Sequence, residues 1–259
     1  MGRPPSRIAA TNKGGSTRLF PCTATSFERN LARAIMAGAV GTFVLVLAIT
    51  SAAVAAALSR PVAGAPYGSL AVPVAGGLAL AIAVAAVGHI SGAHLNPAVT
   101  LGLAASRHFP WTYAPGYLIA QFTGAIAAAA VTWGLYGNQA RSIARLGATA
   151  PAAGVSVGRV AAAEAVVTFV LVLVVVAVAS DSRVPRGIAA MAIGAALAVA
   201  IVIAGPVSGA GVNPARAIAP MILAGQFPDW WAYLAAPVAG GVVAVALYDG
   251  FLRAGTTPA

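Results

Sequence analysis

The sequence predicts an all-α membrane protein with six transmembrane helices and two re-entrant half-helices, arranged as an inverted repeat. Three observations predict it. Only 8% of the 259 residues are charged and 60% are hydrophobic, whereas a soluble domain of this size carries about 25% charged residues. Six apolar runs are long enough to cross a bilayer, and a Ser-Gly-Ala…Asn-Pro-Ala motif occurs twice.

A hydrocarbon core of about 30 Å takes roughly 20 helical residues. Runs of that length lie near Leu31–Leu58, Ser69–Gly88, Trp111–Tyr136, Val157–Ser180, Gly187–Ala204 and Pro228–Leu252. Two shorter stretches, Pro97–Ser106 and Pro214–Ala224, cannot span alone, and an Asn precedes each proline. Their length suits a helix that enters the membrane and turns back. The membrane domain therefore covers 31–252, with repeat 1 at about 31–136 and repeat 2 at about 157–252. Residues 1–30 show no periodic apolar pattern and read as a disordered cytoplasmic tail. Residues 253–259 form a second cytoplasmic tail. A cleaved signal peptide is not expected, because the first apolar run is long enough to span. The single cysteine, Cys22, excludes an intramolecular disulfide.

The net charge of +10 does not point to nucleic acid, since the basic residues are scattered between apolar stretches or crowd the N-terminus. They do report orientation. With the N-terminus inside, Arg3, Arg7, Lys13, Arg18, Arg29, Arg33, Arg107, Arg183, Arg186 and Arg253 share the cytoplasmic side, leaving Arg60, Arg141, Arg145, Arg159 and Arg216. Ten against five places both termini in the cytoplasm. The Arg- and Ala-rich composition suggests a bacterial inner membrane.

The residues Ser91-Gly92-Ala93-His94-Leu95-Asn96-Pro97-Ala98 match Ser208-Gly209-Ala210-Gly211-Val212-Asn213-Pro214-Ala215 at six of eight positions. Tyr117-Leu118-Ile119-Ala120-Gln121 through Gly124 likewise matches Tyr233 through Gly240. Three spans separate equivalent points, and because three is odd the halves are inverted. Such inversion places a site between interrupted helices at the midplane.

Asn is a favoured N-cap, and Pro suits the first helical position, where its missing N–H is not needed. Capping uses the Asn oxygen and leaves its NH₂ able to donate. Asn96 and Asn213 would then face one lumen from opposite directions, each at the positive end of a helix dipole. Two such ends disfavour cations and receive the lone pairs of water or a hydroxyl. A lone Asn-Pro-Ala is usually a turn; two copies within an inverted repeat are not.

These strings, His89 through Thr100 and Gly211 through Arg216, resemble the two signature loops of the major intrinsic protein family, the aquaporins and aquaglyceroporins. The resemblance covers roughly Gly38 to Leu252 and implies one pore per subunit in a homotetramer within the lipid bilayer. It makes Asn96, Pro97, Ala98, Asn213, Pro214 and Ala215 the pore motifs. Arg216 is a membrane-embedded charge, which usually lines a water-filled path; its counterpart in the first repeat is Val99. The resemblance assigns Arg216 to the outer constriction and carries the other constriction positions onto Gly76, Ile201 and Ala210. Water-selective members have a bulky aromatic at the first and a His at the second. A ring of Gly, Ile, Ala and Arg implies a wider, less polar filter. The pattern is closest to the nodulin-26-like and bacterial broad-specificity branch, so the expected solutes are glycerol, urea or neutral metalloid acids with water as co-permeant. Tyr233-Leu234 and Ala217 do not fit either branch cleanly.

Glu164 is the one acid well inside an expected span, Asp229 and Asp249 standing close to the two ends of the last, and the backbone N–H groups of a re-entrant loop are its natural partners. The family has a matching acid in both repeats, and here Gly38 stands in the first, which puts the support of that loop in question. His94 is read as loop support, and His89 as structural. No third ligand accompanies the two histidines, so no metal is expected, and no cofactor. No nucleophile–base set or phosphate loop is present, and an enzyme is not expected. Competing readings are a strict water channel, a secondary transporter (for which Glu164 has no second acid to relay protons) and a non-conducting membrane protein.

Overall fold

The computed structural model describes residues 31–180 and 184–252. The expectations for both tails, for Cys22 and for the charges of Arg183 and Arg253 lie outside the described residues. Within them the chain is helical, and six helices are long and apolar enough to cross a membrane. In order, α1 is Leu31–Ala57, α2 Ala71–Ser91, the short α3 Pro97–Ala105, α4 Ala114–Tyr136 and a small α5 Asn138–Ser142. A 3₁₀ turn at Arg145–Gly147 leads to α6 Val157–Ser180, α7 Arg186–Ser208, the short α8 Pro214–Ala224 and α9 Ala232–Leu247, which ends in a π turn at Tyr248–Leu252.

The two repeats pack alike. In the first, α1 lies against α2 and α4; in the second, α6 lies against α7 and α9; α2 and α7 join them. Small residues set the closeness of these crossings, as expected where lipid offers no hydrophobic drive between helices. A Cβ on Gly124 of α4 would run into the Ala39 carbonyl of α1, and a Cβ on Gly240 of α9 would run into the Ala165 carbonyl of α6. These are equivalent positions in the two repeats. At the join, a Cβ on Gly77 would lie 2.8 Å from the Gly194 carbonyl oxygen. The short helices are exchanged between the repeats: α3 packs chiefly on α9, and α8 chiefly on α4.

The helices differ from the sequence expectation mainly at their ends. α2 and α7 continue through Gly88 and Gly205 and stop at Gly92 and Gly209, both left-handed C-caps. Only glycine enters that conformation without steric cost. Pro206 withholds an N–H in the last turn of α7 without ending it. α4 and α9 begin later than expected, after turns at Trp111–Tyr113 and Asp229–Trp231.

Replacing Gly240 by Val should lower the thermal unfolding midpoint in detergent, at an overpacking cost of about 1–3 kcal/mol. Gly134→Val, on α4 where nothing lies within 4 Å, should leave the midpoint nearly unchanged.

Candidate pore and selectivity site

Each short helix starts as its sequence dictates. Asn96 is extended (φ −148°, ψ 122°) and its Oδ1 accepts the Ala98 N–H at 2.9 Å, with Pro97 at the first helical position. Asn213 repeats this (φ −137°, ψ 112°), its Oδ1 accepting from Ala215 at 2.9 Å and Arg216 at 3.3 Å. The side-chain amides then cross the repeat boundary. Asn96 Nδ2 donates to the Val212 carbonyl at 3.0 Å, and Asn213 Nδ2 donates to the Leu95 carbonyl at 2.7 Å. One N–H of each amide is therefore spent on holding the halves together, which the sequence reading of a free NH₂ did not foresee. The second N–H of each remains for a solute.

The loops leading to the caps are shaped by left-handed residues. Ala93 (φ 52°) and Ala210 (φ 53°) follow Gly92 and Gly209 at equivalent points, and Val212 (φ 57°) adds one more in the second loop alone. A β-branched residue at positive φ is a genuine outlier and needs its surroundings to hold it. Glu164 supplies much of that hold. Its Oε2 accepts the Val212 N–H at 2.7 Å, and its Oε1 accepts the Gly211 N–H at 2.8 Å and the Ser208 hydroxyl at 2.6 Å. The Thr168 hydroxyl donates to the Val212 carbonyl at 3.2 Å. This is the loop-supporting part read from the sequence.

The first loop is held differently. His94 is buried, with its ring 4.6 Å from Phe109 and 5.4 Å from Tyr117 between centroids. Gln121 Nε2 donates to the His94 carbonyl at 2.6 Å and to the Thr100 hydroxyl at 2.9 Å. Tyr117 donates to the Ser91 carbonyl at 3.0 Å, and Tyr233 to the Ser208 carbonyl at 2.6 Å. Sequence reasoning matched these segments but assigned Gln121, Tyr117, Thr42 and Thr168 no task. The available signal was a polar group inside an apolar span, which needs a partner there.

Around the second cap, Pro214, Ala215 and Arg216 are buried in the first turn of α8. Arg216 is only 4% exposed, and among the described residues its Nε and Nη1 find no hydrogen-bond partner. Such donors suit a solute oxygen passing by. Ile201 and Ala210 belong to one apolar cluster, and Gly76 faces Ile201: a Cβ there would lie 2.8 Å from Ile201 Cδ1 and 3.1 Å from Ile49 Cγ1. The fold therefore brings Gly76 against Ile201, and the room left by Gly76 is taken up by Ile201 and Ile49. Gly77 points elsewhere, at α7. His89 is exposed at the end of α2. No cluster of metal-ligating side chains occurs among the described residues.

Two opposed, capped half-helices, tied to each other inside a six-helix inverted repeat, define a multi-pass membrane channel. The chain matches the family described as Major intrinsic protein over residues 25–248 and belongs to that family. It is 37% identical to Aquaporin NIP3-1 of Zea mays over 221 residues, covering 85% of this chain and 70% of that one. It is 39% identical to Aquaporin NIP2-3 of the same plant over 233 residues, covering 90% and 74%. The fold is similar to the X-ray structure of the aquaglyceroporin from Plasmodium falciparum, with a TM-score of 0.78 and 25% identity over 86% of this chain and 97% of the other. The protein is a passive channel for small solutes and not an enzyme.

Glu164→Leu would strand the backbone N–H groups of Gly211 and Val212, at about 1–3 kcal/mol for each buried donor left unmade. The variant should show a sharply lower unfolding midpoint and lose solute flux, and Glu164→Gln, which keeps an acceptor oxygen, should recover part of both.

Proposed function

We propose that the channel passes small neutral polyols, urea or hydroxy acids, including metalloid acids, with water as co-permeant. What supports this reading is the composition of the constriction that the family resemblance implies: beside Arg216 it sets Gly76, Ile201 and Ala210, which bring no aromatic ring and no side-chain donor. Arg216 then offers directed N–H groups to a hydroxyl, while Ile201 offers an apolar wall to a carbon skeleton. Pore diameter and lining donors set selectivity in such a passage. The pore motifs Asn96-Pro97-Ala98 and Asn213-Pro214-Ala215 complete the path with one free amide N–H each.

A strict water channel is the second reading, and one observation favours it. Ile201 and Ile49 close over the space that Gly76 leaves open, so the filter is narrower than its residue list implies.

In this reading one unit, residues 31–252, forms a pore made of repeats at about 31–136 and 157–252. Four such subunits assemble as a homotetramer, a proposal supported by family membership and by the small-residue faces of the helices. Both termini lie in the cytoplasm, supported by the distribution of Lys and Arg. The relatives named above are plant proteins, and they lend no support to a bacterial inner membrane.

Stopped-flow light scattering on proteoliposomes tests the proposal with water, glycerol, urea and boric acid in turn. Glycerol or boric acid flux several-fold above empty liposomes is expected. Rapid water flux with every solute at background would establish the strict water channel instead.

A further inference from the structure

Behind the pore loops the two repeats correspond in their hydroxyl groups but differ in charge, a difference separate from that between Arg216 and Val99. Thr42 and Thr168 are equivalent; Thr168 donates to the Val212 carbonyl at 3.2 Å, while Thr42 donates to the Gly38 carbonyl at 2.8 Å and lies 3.5 Å from that of Leu95. Ser91 and Ser208 are equivalent, each accepting the N–H of a left-handed alanine at 3.2 Å. Four residues before each threonine, on the same face of its helix, stand Gly38 and Glu164. Both serines reach the carbonyl four residues back, Val87 for Ser91 and Ala204 for Ser208, each at 3.2 Å, and Ser208 alone also reaches a carboxylate, that of Glu164 at 2.6 Å.

Gly38 is buried, yet a Cβ placed on it would meet nothing nearer than the His94 carbonyl oxygen at 3.9 Å. A Cβ therefore fits there without displacing a neighbour. The first loop is instead held by neutral donors on its carbonyls, from Gln121, Tyr117 and Asn213. Among the described residues, Glu164 and Arg216 are the only buried acid and the only buried arginine or lysine. Their formal charges cancel. The positive ends of α3 and α8, each equivalent to about half an elementary charge, face no further carboxylate.

We propose that Gly38 is a specificity-determining position: by withholding a second carboxylate, it keeps the middle of the pore electropositive and gives the channel a barrier to protons and metal cations beyond that of Arg216. The proposal rests on the neutral-solute reading above. An acid at position 38 would be related to Glu164 by the repeat symmetry and would offset the two helix ends from the other side. Its effect would fall on charged permeants and leave glycerol largely untouched.

The test uses full-length channel in proteoliposomes loaded with a pH-sensitive dye, with potassium and valinomycin to clamp the potential. Glycerol flux is measured on the same preparations. Arg216→Val serves as background, and Gly38→Glu and Gly38→Gln are added to it separately, so that the pair differs in charge and hardly in size. The Gly38→Glu, Arg216→Val channel should leak protons on the order of tenfold faster than the Gln version, as expected for a unit charge roughly 10 Å away at an effective dielectric near 20. Equal leak in the two overturns the proposal. If neither substituted protein inserts, as judged by absent glycerol flux, Glu164→Gln in the Arg216→Val background replaces them. Removing the remaining acid should then slow the leak, and an unchanged or faster leak overturns the proposal. Loss of glycerol flux in the unsubstituted channel would instead count against the neutral-solute reading, so the two failures are separable.

Discussion

The structure depends on a reciprocal pair of hydrogen bonds, Asn96 to the Val212 carbonyl and Asn213 to the Leu95 carbonyl. Neither half-helix is long enough to cross the membrane, so each must end inside it. An end inside hydrocarbon leaves backbone groups that no water satisfies. Asn resolves this in two directions at once. Its oxygen caps the helix it begins, and its nitrogen satisfies a carbonyl of the opposite loop. Because α3 packs on α9 and α8 on α4, the two repeats are interlocked around this pair.

The pair also explains the strain nearby. To offer its carbonyl to Asn96, Val212 adopts a left-handed backbone that a β-branched residue normally avoids. Glu164, Thr168 and Asn96 together supply the bonds that hold it there. Leu95 performs the same service for Asn213 without positive φ and without an acid behind it. The repeats thus reach one geometry by two means, through a carboxylate gathering N–H groups in one loop and through amide and hydroxyl donors gathering carbonyls in the other. Symmetry of function does not require symmetry of support.

Much of this was legible in the sequence. Apolar runs of spanning length, two stretches too short to span and a motif repeated after an odd number of helices together specify six spans and an inverted pair of half-helices. The caps were legible because Asn followed by Pro has few other uses at a helix start, and Glu164 because a membrane acid must find donors. Other features left no mark. The ends of α2 and α7 fall on Gly92 and Gly209, inside the motif, and Gly88 and Gly205 look equally suited to stop a helix. The destinations of the Asn amides are backbone carbonyls, which any residue supplies. The filling of the space beside Gly76 depends on Ile49, which α1 brings from far away in sequence, so counting around the constriction could not reveal it.

Interlocking of the repeats requires energetic coupling between the two asparagines across the repeat boundary. A double-mutant cycle with Asn96→Ala, Asn213→Ala and the double variant, read by thermal unfolding in detergent, measures it directly. Residues in one hydrogen-bond network couple by about 0.5–3 kcal/mol. A coupling energy within that range is the expected result, with the double variant losing less than the sum of the two single losses. Strict additivity would show that each asparagine serves its own half-helix alone, and would contradict the claim that the pair joins the repeats.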